Sequence, residues 1–182
     1  MLTLGFLLTA LAAAFVIFDK NARTRREAEE YSALLALLVF FKGGLAAARR
    51  TPSELFAGFH EREDSAALPW LAHLFETGSG ASDGSGTCAD FNDVGERVAL
   101  FMRERGILTA ETQLSAEEKE RVASLFYDFG RHAADEEINR LDSEIAHFSE
   151  REREVRERCD KSVKVSWLLF VTVCAGALLI IL

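Results

Sequence analysis

The pattern of apolar and polar positions divides the chain into three parts. Residues 1–18 and 165–182 carry no charged side chain, so every Lys, Arg, Asp and Glu falls between Asp19 and Lys164. An 18-residue helix is ~27 Å long at ~1.5 Å per residue, close to the ~30 Å of hydrocarbon that a membrane span must cross. The pattern therefore predicts transmembrane helices over 1–18 and 165–182, with 19–164 between them. The first end also has the length of a signal peptide and carries the small-residue run Ala12, Ala13, Ala14. A signal peptide places its basic residues before the apolar core, whereas Lys20, Arg23, Arg25 and Arg26 follow it here, which favours an anchor. Trp167 stands where an interfacial aromatic belongs at the start of the second span.

Between the ends there is no recurring two-residue alternation, and Pro52 and Pro69 are the only prolines, so the expected class is all-α. No Gly or Pro interrupts residues 6–42, where Tyr31, Leu34, Leu35, Leu38 and Phe41 recur at helical steps; Gly43 and Gly44 loosen or end this helix. Thr51-Pro52-Ser53-Glu54 combines a capping box with Pro at the first helical position and opens a short helix bearing Leu55, Phe56 and Phe59. A second short helix after Pro69 bears Trp70, Leu71, Leu74 and Phe75. Residues 78–87, GSGASDGSGT, read as a flexible loop. Phe91, Val94, Val98 and Phe101 mark another helix. Ser115 and Glu118 form a second capping box, and Gly130 ends or bends the helix that it opens.

From about Asp135, Ile138, Leu141, Ile145, Phe148 and Val155 lie on a heptad seam interrupted by Glu152, and no Gly or Pro occurs before the second span. Such a seam expects a partner helix. The economical architecture is an antiparallel helical stalk continuous with the two spans and capped by a small cytoplasmic helical bundle. Phe40, Phe56, Phe59, Phe75, Phe101, Phe126 and Phe129 are candidates for the bundle's core.

The charges add a topology. Lys20, Arg23, Arg25 and Arg26 follow the first span, and Arg151, Arg153, Arg156, Arg158, Lys161 and Lys164 precede the second. Basic residues beside a span stay on the cytoplasmic side, which puts the middle segment inside and both termini outside. Residues 27–150 hold 11 basic and 24 acidic side chains, a balance of −13 within a chain of net charge −8. So acidic a body lacks the basic footprint that nucleic acid requires and suits a partner with a basic face. With 49% hydrophobic and 27% charged residues the composition is that of a folded chain.

Candidate chemistry is sparse. Gly84-Ser85-Gly86-Thr87 lacks the lysine and the preceding strand of a phosphate-binding loop, and His60-Glu61-Arg62-Glu63-Asp64 lacks the second histidine of a helical zinc pair. His73, His132 and His147 are scattered. Cys88, Cys159 and Cys174 have no metal-ligand spacing and are expected as free thiols in a reducing compartment. Glu117, Glu118, Glu120, Asp135, Glu136 and Glu137 sit where acids favour helix N-termini. The chain is therefore read as a non-enzyme without metal or cofactor. Glu61, Glu63 and Asp64, between the two proline-marked helices, are the candidate partner contact at the end of the bundle far from the membrane.

The layout of a span at each end around a compact helical part resembles the stage III sporulation protein AB family. Thr51-Pro52-Ser53-Glu54-Leu55 is similar to that family's proline-containing segment, Leu114-Ser115-Ala116-Glu117-Glu118 to its next helix start, Phe129-Gly130 to its Leu-Gly step, and residues 175–182 to its Ile/Leu-rich ending. The chain has Lys42-Gly43-Gly44-Leu45-Ala46 where family members carry glutamates. The resemblance implies a platform subunit of a secretion-like channel complex in the mother-cell membrane facing the forespore. Its cytoplasmic part would be similar to the inner-membrane platform protein of type II secretion, docking a stage III sporulation AA-type ATPase beside other membrane proteins of the complex. A second copy of the chain is a further candidate partner for the seam. A membrane-tethered helical signalling or regulatory module is the alternative.

Overall fold

A computed structural model of the protein describes residues 2–48, 50–76 and 91–181, which contain helices and no strand. The α-helices are α1 (Leu2–Ala48), α2 (Pro52–His60), α3 (Pro69–Glu76), α4 (Phe91–Arg103), α5 (Ala116–Tyr127) and α6 (Ala134–Ile181). Two 3-10 turns, Glu63–Ala67 and Gly106–Leu108, join α2 to α3 and follow α4 after Arg105, which is left-handed with φ 51. The loop expected at 78–87 lies outside the described residues, as do the side chains of Phe91 and Val94.

The chain divides into two compact units, one comprising Met1–Ala28 with Arg151–Leu182 and the other Glu29–Glu150. The Glu29–Glu150 unit is built around α1. Tyr31, Leu34, Leu37, Leu38 and Phe41 recur on one face and are all at most 2% exposed. Phe41 is the hub: its ring centroid lies 4.8 Å from Phe56, 5.7 Å from Phe126 and 5.3 Å from Phe129. Each such ring contributes roughly 1.5–3 kcal/mol on leaving water. Phe40, the expected core member, is half-buried against Phe59 and beneath the Arg62 guanidinium.

Gly43 and Gly44 do not end α1, which runs on to Ala48. The reason is a close approach between helices: a Cβ on Gly44 would stand 2.2 Å from Leu55 Cδ2, so the missing side chain is where α2 presses on α1. Both expected capping boxes are present. Thr51 Oγ1 accepts from the Glu54 amide while Glu54 accepts from the Thr51 amide, and Ser115 and Glu118 repeat the exchange at the start of α5. Helix α5 stops at Tyr127, and Gly130 follows in the turn with φ +83, a left-handed conformation that glycine adopts without strain. Its amide donates to Glu137 Oε1 at 3.0 Å, fixing the entry into α6.

Helix α6 is 48 residues long. Of its expected seam, Leu141, Phe148 and Val155 are fully buried, and Ile138 and Ile145 are half-buried. Within the Glu29–Glu150 unit the seam meets α1, with Phe148 6.5 Å from Tyr31 and Asp142 2.6 Å from Lys42.

Candidate functional site

The chain ends and the basic residues expected to flank a membrane fall in the Met1–Ala28 and Arg151–Leu182 unit. One stretch of the described residues, Phe18–Ala47, is a helix long and apolar enough to cross a membrane, and 39% of its most apolar window is buried. The expected span 1–18 falls largely outside the described side chains, which within it are Phe15 and Phe18; in 165–182 many of the side chains beyond Leu168 are likewise outside the description. Those described are unusual for a water-facing surface: Phe18 is 77% exposed, Trp167 65% and Leu168 69%, with Phe15, Val163, Val165 and Val171 exposed beside them.

Next to this apolar zone, polar side chains tie α1 to α6. Asn21 Nδ2 donates to Ser166 Oγ at 3.1 Å, and Ser162 Oγ donates to Asn21 Oδ1 at 2.8 Å. Glu27 lies 3.8 Å from Arg158. Sequence reading missed this cluster because three small polar residues 141 and 145 positions apart leave no local pattern.

Of the ten basic residues expected to flank the membrane, Arg151 pairs with Glu154 and Arg153 is engaged, and the other eight divide into two groups. Arg23 pairs with Asp19, Arg156 with Glu152, Arg158 with Glu27 and Lys161 with Glu157. Arg25 is engaged as well, whereas Lys20, Arg26 and Lys164 are exposed and make no ion pair among the described residues. Neighbouring carboxylates along the same helices thus dilute a cluster that the sequence presents as uniformly basic.

The candidate contact of Glu61, Glu63 and Asp64 stands at the α2–α3 connection, all three exposed. Glu63 and Asp64 open the 3-10 turn. Arg62 reaches back over the rings of Phe40 and Phe59 and meets Asp64 at 3.2 Å, whereas Glu61 and Glu63 have no ion pair among the described residues.

A different surface of the Glu29–Glu150 unit is concave. Between α3, α4 and the Gly106–Leu108 turn lies a groove of about 800 Å³. Its floor is Trp70 stacked on Phe101, with centroids 5.7 Å apart and planes 4° from parallel. Gly106 permits this, because a Cβ there would be 2.3 Å from Phe101 Cδ2. The buried Trp70 Nε1 has no acceptor among the described residues. Leu100, 43% exposed, lines the groove, and Leu108, 37% exposed, lies in the turn between the lining residues Gly106 and Thr109.

The wall formed by Thr109–Glu111 is held from behind. Lys119 Nζ donates to the Ala110 carbonyl at 2.8 Å. The buried Glu30 carboxylate accepts the Thr112 hydroxyl and, at 2.7 Å, the Gln113 amide. Beside it Tyr31 donates to the equally buried Glu118 at 2.7 Å. Sequence reading assigned Glu118 to its helix cap and missed its second role.

No group of three His, Cys, Asp or Glu among the described residues is arranged to hold a metal ion. His60 stacks on Phe75 with ring centroids 4.3 Å apart, and His147 packs edge-on to Phe148. Cys159 is a half-buried free thiol. What these surfaces can do is bind: a zone of exposed apolar side chains at one unit, and acidic and concave surfaces at the other.

The sequence model of the stage III sporulation protein AB family matches residues 3–182, and the chain belongs to that family. No curated protein and no solved structure matches it.

Proposed function

We propose that the protein is a membrane-anchored platform of a sporulation-specific secretion-like complex, with no reaction of its own, whose acidic helical unit docks a cytoplasmic ATPase. The observation that carries this reading is the concentration of exposed large apolar side chains, Phe15, Phe18, Val165, Trp167, Leu168 and Val171, on the unit that contains both chain ends. Such a zone calls for an apolar medium, and a bilayer supplies it. On α1 the lipid-facing part precedes Tyr31, because Leu34, Leu37, Leu38 and Phe41 are spent on the core of the other unit.

In this reading α1 and α6 form an antiparallel stalk. Asn21 with Ser162 and Ser166, followed by Glu27 with Arg158, supports it, since rising positions on one helix meet falling positions on the other. The cytoplasmic placement of residues 19–164 follows from the basic flanks. The charge balance of residues 27–150 supports docking of a partner with a basic surface, which this reading takes to be the ATPase.

The test is co-purification of the full-length protein in detergent with the Walker-type ATPase of the same sporulation complex. Binding is expected to weaken as salt rises. Replacing Glu61, Glu63 and Asp64 together by Lys is expected to lower it and to flatten its salt dependence, with helix content unchanged. Absence of ATPase binding at every salt concentration overturns the platform reading.

A further inference from the structure

We infer that the groove between α3, α4 and the Gly106–Leu108 turn is a docking site for a protein segment that presents a bulky apolar residue flanked by lysine or arginine. This rests on reading the Glu29–Glu150 unit as a docking body, and it adds a second contact surface to that of Glu61, Glu63 and Asp64.

The apolar half of the argument is the groove itself. About 800 Å³ is room for a large side chain with a turn of its own helix. Half-buried Phe101, backed by the buried Trp70 ring, is the aromatic floor, and Leu100 in the lining and Leu108 in the adjoining turn are apolar positions left to solvent. Aromatic floors beside exposed aliphatic residues are where interface anchors insert. The wall is fixed beforehand by Lys119 on the Ala110 carbonyl and by Glu30 on Thr112 and Gln113, so little ordering remains to be done on binding.

The charged half says what kind of segment fits. Of the ionisable side chains lining the groove, Arg97 is already engaged, donating to the Leu74 carbonyl at 3.5 Å. Glu104 and Glu111 are exposed and have no ion pair among the described residues. Arg97 keeps its charge while it bonds the Leu74 carbonyl, so the three lining groups sum to one negative charge, which favours a basic flank over an acidic one.

The test uses the full-length protein in its own membrane in sporulating cells. A photo-crosslinking amino acid is placed at Leu100 or Leu108, with exposed Val39 on α1 as control, and the captured peptide is sequenced. The expected result is capture at 100 and 108, and not at 39, of a peptide with a bulky apolar residue bordered by Lys or Arg. Glu104→Lys with Glu111→Lys should lower the yield about tenfold while circular dichroism stays unchanged. Leu100→Ser, at an exposed position, should lower the yield of the Leu108 probe and serves as a second variant that spares the core.

Capture of lipid alone, of acidic peptides or of nothing overturns the inference, as does a yield indifferent to the charge reversal. The two readings fail separately. An ATPase that binds the charge-reversed and Leu100→Ser proteins as well as the natural one sinks the groove and leaves the platform. Capture of a basic, apolar peptide from another protein, with no ATPase bound at any salt, keeps the groove and sinks ATPase docking.

Discussion

Tyr31 on α1 donates its hydroxyl to Glu118 Oε2 at 2.7 Å, and the same oxygen accepts the Ser115 amide at 2.9 Å that starts α5. One buried carboxylate thus caps a helix and ties it to α1. Tyr31→Phe keeps the ring beside Phe148 and removes one donor from a buried anion, which should cost about 1.5–3 kcal/mol. Glu118→Ala should cost more, since it also abandons the Ser115 amide and the Tyr31 hydroxyl. Urea unfolding of residues 27–150, expressed alone as a helical fragment, measures both. A Tyr31→Phe midpoint equal to that of the unaltered fragment would show that the bond adds nothing.

The adjacent glycines of α1 should respond in opposite directions. Gly44→Ala forces a methyl into Leu55 and should destabilise by roughly 1–3 kcal/mol. Gly43 is exposed with nothing within 4 Å of an added Cβ, and in mid-helix Gly43→Ala should stabilise by about 0.5–1 kcal/mol. Thermal melts of the two variants in one buffer check the sign of each. The experiment also decides whether α2 packs on α1 through this gap.

That pair shows where the sequence was legible. Helix starts were, because Thr51-Pro52-Ser53-Glu54 and Ser115 with Glu118 write their hydrogen bonds within four residues. Seam residues Leu141, Phe148 and Val155 were also legible, through their heptad spacing. Gly44 was not, because a glycine kept for a neighbouring helix looks the same as one that ends its own. The groove was illegible for a related reason: Trp70 and Phe101 read as two separate helix faces, and only folding stacks them into one floor. Charges were legible as a total but not as individuals, since Asp19, Glu152 and Glu157 quiet basic residues that composition counts as free.

Acid should loosen the start of α2 through Glu54. The Thr51 amide, then the Thr51 hydroxyl, and more weakly Arg50 hold its carboxyl below the ordinary carboxylate range. A group lowered on folding stabilises above its unfolded value of about 4.3, and that contribution disappears as pH falls through the lowered folded value. Glu54→Gln should therefore be less stable than the natural sequence near neutrality, and the gap should close as the pH drops below about 4. Melting both at a series of pH values tests this, and a gap that persists unchanged into acid excludes the charged cap as its source.

If the chain spans a membrane as proposed, its orientation should depend most on the basic residues that no carboxylate neutralises. Lys20, Arg26 and Lys164 are exposed without an ion pair among the described residues, whereas Arg23, Arg156 and Lys161 each pair within one helical turn. If anionic headgroups hold the flanks inside, the first three supply most of the attraction, at about 1 kcal/mol per cation near the surface. In the natural protein, protease applied to spheroplasts should remove tags at both termini and spare a tag inserted at Gly84. Neutralising Lys20, Arg26 and Lys164 to Gln should expose the Gly84 tag in a measurable fraction of molecules. Neutralising Arg23, Arg156 and Lys161 instead should expose it less. Equal exposure from both triples would mean that orientation follows the count of basic residues, and digestion of the Gly84 tag in the natural protein would place the helical unit outside.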